Sequence, residues 1–224
     1  KATPSDVKCT KQVNPGYESA LAMLSKLYDM EVVAVGNCTE KKPSTAVWKE
    51  GSGRTVVADA VIKGEVIKSV LKTTVEALVA AKKNLLNSLA STVGGFNAHA
   101  ANILTAIFLA TGQDPAQNVE SSNCSTILEA TNDGKDLYMS VTMPSIQVGS
   151  VGNNISLPAQ SACLGIVQCS AHEASGDKAD HLAHLATASV MAAELSLLAD
   201  MASGQLPKSQ LLLQRAKIPT AAKL

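Results

Sequence analysis

The sequence predicts an α+β fold, helices and sheet mixed in one chain, on three observations. Apolar residues recur at three- and four-residue steps over two long segments, which is the spacing of a helix with one buried face. Runs of β-branched and aromatic residues lie before and between those segments. Aromatic residues are only 3% of the chain, so Ala, Val, Leu and Ile must build the core, and the helices are Ala-rich and able to approach closely.

In chain order, residues 31–35 and 55–62 are β-like. From Gly64 to about Lys83, Val66, Ile67, Val70, Leu71, Val75, Leu78 and Val79 fall on one face and predict a single amphipathic helix. Residues 98–110 are the most apolar stretch and read as a helix, with Gly112-Gln113-Asp114-Pro115 at its end. Residues 137–143 and 145–151 are two further β-like runs, with Pro144 expected as a bend between them. A helix of about seven turns opens near Asp177, whose carboxylate and that of Asp180 suit the positive end of the dipole. It runs through Leu182, Leu185, Ala193, Leu197 and Met201 to Gly204 as its stop. Residues 1–15, 132–135, 172–178 and the tail after Lys217 are the loosest stretches. The chain shows no internal repeat.

With 224 residues the chain is long enough for one large or two small domains. Hydrophobic residues are 46% and charged residues 17%, with 19 basic against 19 acidic side chains, a composition that argues against disorder and against nucleic acid as a partner. The most apolar stretch, residues 98–110, is interrupted by Asn102 and Thr105 and is shorter than the roughly 18–20 residues a bilayer span needs, so no membrane crossing is predicted. Lys1 follows no initiator Met and no basic-then-apolar leader. That is the pattern expected of a piece of a longer polypeptide with its targeting information upstream. Cys9, Cys38, Cys124, Cys163 and Cys169 form an odd set without a CxxC pair and are expected as free thiols. Cys163, Cys169, His172, His181 and His184 have the residue types of a zinc site but the spacing of no compact zinc module, so no metal is predicted.

Few residues carry chemistry on general grounds. Lys41 and Lys42 stand where a strand would exit before Pro43, able to meet a carbonyl or phosphate oxygen, although a solvated basic turn has the same pattern. Asp114, Gln117, Asn118, Ser121, Ser122 and Asn123 follow an apolar helix in a dense polar run, much of which caps and turn hydrogen bonds would explain. Gly94-Gly95 would let backbone approach a ligand or another helix, and Asn97, His99 and Asn102 are polar groups opening the next helix. His99 alone fits a hydrogen-bonded interface residue better than an acid. The sequence has no phosphate loop, no GxSxG and no GxGxxG, so a Rossmann cofactor site is not expected.

Seven runs carry a resemblance. They are Asn37-Cys-Thr-Glu-Lys-Lys-Pro43, Glu50-Gly51, Val70-Leu-Lys-Thr-Thr74, Gly94-Gly-Phe-Asn-Ala-His-Ala-Ala-Asn102, Gly112-Gln-Asp-Pro-Ala-Gln-Asn-Val-Glu-Ser-Ser-Asn-Cys124, Thr142-Met-Pro-Ser145 and Glu194-Leu-Ser-Leu197. In this order they resemble 3-hydroxy-3-methylglutaryl-coenzyme A (HMG-CoA) reductase, in its eukaryotic, fungal-like form. The resemblance extends from about Asp6 to Lys217 and is to the C-terminal part of the catalytic domain. It implies residues 1–40 as a remnant of the small NADPH-binding subdomain and residues 41–224 as part of the large substrate-binding domain.

That family reduces HMG-CoA to mevalonate with NADPH, in the pathway to isoprenoids and sterols, and the resemblance implies roles for matching positions. Lys41 matches the catalytic lysine that would stabilise the oxyanion formed at the thioester carbon, and Asp114 the aspartate that would keep that lysine protonated. Glu40, Lys42 and Asn102 match residues around the hydroxymethylglutaryl group. Lys72, Lys83, His99, Ser196, Leu197 and Ser209 match the coenzyme A surroundings, and Asp6, Gln117 and Asn118 part of the NADPH site. A homo-oligomer with an active site between subunits is implied. So is a cytosolic location, at the cytosolic face of the endoplasmic reticulum membrane if an upstream anchor exists.

There are departures. Gln210 follows Lys208-Ser209 where the family has the histidine that protonates the leaving thiolate, and an amide cannot deliver that proton at neutral pH. The D-A-M-G-M-N cofactor motif is replaced by Asp6-Val-Lys-Cys-Thr-Lys11, and a glycine-rich loop by Gly152-Asn-Asn-Ile155. Val35 stands before Gly36 where a serine is expected, and Ala216 occupies the regulatory serine position. The family's catalytic glutamate, substrate arginine and dimer motif belong upstream of Lys1. Two readings follow: part of a reductase, or a non-catalytic relative that keeps the fold for binding or regulation.

Overall fold

Asn132 and Asp133, with φ of 52° and 57°, precede Gly134 at 81°, the left-handed geometry that tight strand reversals favour. They join β2 (Ser125–Thr131) to β3 (Asp136–Ile146) as an antiparallel hairpin, and β1 (Arg54–Ile62) pairs antiparallel along the other edge of β3. The sheet order is β1-β3-β2. This computed structural model describes residues 23, 24, 26–28, 51–87, 95–152, 154–169 and 177–203. The β-like run at 31–35 and the boundary expected between residues 40 and 41 lie outside them.

Period-two patterning gives the sheet two unlike faces. Leu137, Met139, Val141 and Met143 of β3 are fully buried and Thr126 and Leu128 of β2 are buried, while Val57, Val61 and Ile127 on the opposite face are exposed. The helices described from Gly64 onward pack on the inner face. They are α1 (Gly64–Ser69), α2 (Val75–Asn87), α3 (Ala100–Thr111), α4 (Asn118–Ser121), α5 (Pro158–Ile166) and α6 (Asp177–Ala202), so the α+β class expected from sequence holds.

The helix expected over 64–83 is two. Lys72 adopts φ 56°, its ammonium caps the Ser69 carbonyl at the end of α1, and the Thr74 hydroxyl accepts from the Ala77 amide at 3.2 Å to open α2. Ile67, Val75 and Leu78 are buried, but Val66 and Val70 are exposed, so the apolar spacing alone concealed the break. Pro144 does not bend the chain. It continues β3, beyond the last β2 pair at Thr142 and opposite the register shift between Arg54 and Val56, where the ladder does not need its missing N–H. Residues 147–150 leave the sheet, so the second expected run ends at Ile146.

The long C-terminal helix falls where expected, but with a different buried stripe. Leu182, Ala186, Val190, Glu194 and Leu198 are buried, whereas Leu185, Ala193, Leu197 and Met201 are only partly so. Small residues at Ala179, Ala183 and Ala186 let α6 lie close on β1 and β3. Lys178–Ala202 is apolar and long enough to cross a membrane by composition, with mean hydropathy 1.5. That apolarity serves packing against the sheet, α2 and α3. Buried Arg54 adds an ion pair to Asp180 and a bond to the Val148 carbonyl at 3.1 Å, joining β1 to the helix and to the chain after β3.

Candidate functional site

The polar run after α3 begins at Gly112, which caps the helix with φ 69°. A Cβ there would meet the Asn154 carbonyl oxygen at 2.5 Å, so only glycine lets the two loops close. Gln113 is buried and exchanges both amide groups with Gly149, donating to its carbonyl at 3.0 Å and accepting from its N–H at 2.9 Å. Asp114 caps the 3₁₀ turn Pro115–Gln117, accepting from the Ala116 amide at 3.1 Å. Ser121 and Glu120 bind the backbone and side chain of Gln147 at 3.0 and 2.7 Å. Caps and loop ties therefore account for most of this run, as general reasoning allowed.

Asn118 is different. Its side-chain nitrogen donates to Thr105 Oγ1 at 2.9 Å, while its oxygen, like the side-chain nitrogen of Asn123, is buried without a hydrogen-bond partner among the described residues. Thr105 is three residues from the exposed Asn102, so both lie on one surface of α3. The bond thus ties Asn118 to the α3 surface that also carries Asn102. Gln117, beside Asn118, is buried.

At the other end of α3, the turn Phe96–His99 is held by a carboxylate. Glu194 of α6 is fully buried and accepts from the amides of Ala98 and His99 at 2.8 and 2.7 Å, from Thr126 Oγ1 of β2 at 3.0 Å, and contacts His99 Nδ1 at 3.0 Å. Asn97 caps α3 by accepting from the Ala100 amide at 3.1 Å and donates to the Cys124 carbonyl at 3.1 Å. Lys82 reaches in from α2 to the Phe96 carbonyl at 2.6 Å. Burial pushes its ammonium below the ordinary lysine value, with Glu194 and Cys124 pulling the other way. Burial pushes the Cys124 thiol up to about 12. Gly95, with φ 88°, sits where a Cβ would meet the Cys124 carbonyl oxygen at 2.4 Å. The close approach expected of this glycine is therefore to the start of β2.

His99 is thus a hydrogen-bonded junction residue, with its ring partly exposed. Ser196 is exposed and Leu197 partly buried, one turn of α6 beyond Glu194. Lys83 is exposed beside Lys82, and the Lys72 ammonium is engaged at the end of α1. Asp6, Glu40, Lys41, Lys42, Ser209 and Gln210 lie outside the described residues. Cys124 and Cys163 are free thiols. His181 and His184 project from the exposed side of α6, and no group of three or more His, Cys, Asp or Glu converges among the described residues. Sequence reasoning gave Glu194 no role. The available signal was an acid four residues from both Val190 and Leu198 in an otherwise apolar stripe.

The profile of the family described as hydroxymethylglutaryl-coenzyme A reductase matches residues 11–215. The chain is 51% identical over 219 residues to 3-hydroxy-3-methylglutaryl-coenzyme A reductase 2 of Dictyostelium discoideum, covering 94% of this chain and 42% of that protein. It is 52% identical over 219 residues to reductase 1 of Oryza sativa subsp. japonica, covering 94% and 41%. It is 51% identical over 223 residues to the reductase of Ganoderma lucidum, covering 96% and 18%. The chain spans less than half the length of each of these relatives.

Proposed function

Because the chain belongs to the hydroxymethylglutaryl-coenzyme A reductase family, we propose that it forms part of a site for reducing HMG-CoA to mevalonate. In this reading residues 41–224 contribute the substrate side and residues 1–40 a remnant of the cofactor side. The observation that carries it is the Asn118–Thr105 bond, which ties the polar run bearing Asp114 to the α3 surface bearing Asn102.

In this reading Lys41 donates to the thioester oxygen as negative charge develops there. Asp114, one oxygen of which is fixed by the Ala116 amide, keeps that ammonium protonated against desolvation. Asn102, Glu40 and Lys42 orient the hydroxymethylglutaryl group. His99, Lys72, Lys83, Ser196, Leu197 and Ser209 line the path of coenzyme A. The unpartnered buried oxygen of Asn118 fits an amide-bearing ligand such as NADPH, held together with Gln117 and Asp6. NADPH, when bound, supplies the hydride. Gln210 stands where the leaving thiolate needs a proton, and this observation favours a second reading, a relative that binds coenzyme A without turning it over. The site is completed by a second subunit, in the cytosol or at the cytosolic face of the endoplasmic reticulum membrane.

Calorimetric titration of the chain with coenzyme A tests the reading common to both. Saturable binding that Lys72→Ala and Ser196→Ala weaken supports it, and heats no larger than those of dilution overturn it.

A further inference from the structure

The substrate-facing residues proposed on α3 hang from one turn, and one side chain with no assigned role holds that turn. We infer that Glu194 is a positioning residue for the ligand face, fixing the Ala98–His99 turn that sets the direction of His99 and the first turn of α3 with Asn102. The inference rests on the reading of His99 and Asn102 as ligand-facing.

Three of the four contacts of this carboxylate fall on that turn: the Ala98 amide, the His99 amide and the His99 ring. The fourth, Thr126 Oγ1, donates to Oε2, the oxygen that also accepts from the Ala98 amide, so the carboxylate is held from β2 while it holds the helix start. A carboxylate with no exposed surface is costly to bury, and these contacts offset that cost. An apolar residue at this position would pack as well against the core but leave two adjacent backbone amides without acceptors. The arrangement also explains how α3 opens. His99 is the N-cap by position yet makes no side-chain cap bond, because its ring is turned to Glu194, and Asn97 caps the Ala100 amide instead. One acid on α6 therefore decides which way the imidazole points.

The test uses the full chain and two measurements. Amide hydrogen exchange on Glu194→Gln should show protection lost at Ala98 and His99 with β3 amides unchanged. The affinity for coenzyme A should fall about tenfold, the scale of one charge-assisted hydrogen bond. That loss should shrink by more than half in a His99→Ala background, since a residue acting through His99 cannot act where the ring is gone. Additive losses in the two backgrounds, or unchanged exchange at Ala98 and His99, overturn the inference. If Glu194→Gln does not fold, Glu194→Asp carries both measurements, with a smaller loss expected, and wild-type behaviour in both would count against the role. If the unsubstituted chain binds no coenzyme A, the proposed function fails, and the exchange measurement alone decides the positioning role.

Discussion

The Lys82 ammonium donates to the carbonyl oxygen of Phe96 at 2.6 Å, and the Thr126 amide reaches the same oxygen at 3.0 Å. One carbonyl thus joins α2, the turn before α3 and β2. Removing the charged donor in Lys82→Ala should lower stability by about 1.5–3 kcal/mol, the usual weight of a hydrogen bond to a charged group. Urea unfolding would show it as a lower midpoint at unchanged slope. A shift under about 0.5 kcal/mol, typical of surface changes, would remove this role from Lys82.

Cys124 should resist thiol reagents in the native state while the partly exposed Cys163 reacts. The nucleophile is the thiolate, and burial raises the Cys124 thiol from 9.0 to about 12. The same shift sets a pH dependence. The folded chain holds a proton that the unfolded chain releases, so this contribution is complete below pH 9.0 and is lost as pH climbs to about 12. Mass mapping after a short alkylation at pH 8 would settle the order, and prior labelling of Cys124 would contradict it.

Asp136 accepts from Asn132, the Gly64 amide and Lys63, and these bonds, Asn132 first, hold its carboxyl at about 2 rather than 3.8. A depressed carboxylate contributes stability above its unfolded value that fades as pH falls through the folded one. Asp136→Asn should therefore flatten the stability profile between about pH 4 and pH 2. Acid unfolding curves of equal steepness for the two proteins would refute this.

Gly64→Ala should destabilise by about 1–3 kcal/mol, the range for forcing atoms into a packed site. A Cβ at Gly64 would stand 2.1 Å from the Lys135 carbonyl oxygen, and the Gly64 amide is also a donor to Asp136. Backbone cannot swing aside as a side-chain tip can. A melting temperature equal to the unsubstituted chain would show that the hairpin turn yields more than this geometry allows.

NADPH oxidation dependent on HMG-CoA should run no faster in the chain than in its Lys41→Ala variant. In the proposed reading Gln210 stands where the leaving thiolate needs a proton, and loss of a general acid costs about 10²–10⁴ in rate. Gln210→His should leave the rate at that background, because residues 7–11 also depart from the family's cofactor motif. Mevalonate formed by Gln210→His well above background would mean that the proton donor alone had been lost.

Periodicity made α6 legible almost to the residue, and the β-run at 55–62 matched β1, because both bury one face of a regular element. It failed where a side chain competes with the backbone. Thr74 caps a new helix inside an unbroken apolar pattern, and only the adjacent pair Thr73-Thr74 hinted at it. β2 is absent from the expected runs because its alternation is inverted: polar Thr126 faces the core while Ile127 is exposed, so no clean apolar face precedes Asn132-Asp133-Gly134. The candidate site residues come mainly from family resemblance, and Asp6, Glu40, Lys41, Lys42 and Ser209 lie outside the described residues. Glu194 was hidden because its partners, Ala98 and His99 of the turn before α3 and Thr126 of β2, are far away in the chain.

Pro144 has one more effect. The turn at residues 132–134 sets how β2 aligns with β3, but β1 reaches β3 only across most of the domain, with no turn to set its alignment. Slid along β3 by two residues, β1 would present a regular pair opposite Pro144 and meet no N–H there. The Thr55 hydroxyl, which now donates to the Pro144 carbonyl at 3.0 Å, would lose its acceptor as well. The imino acid thus works as a notch that admits β1 in one alignment, so Pro144→Ala should leave the strand in place but less firmly indexed.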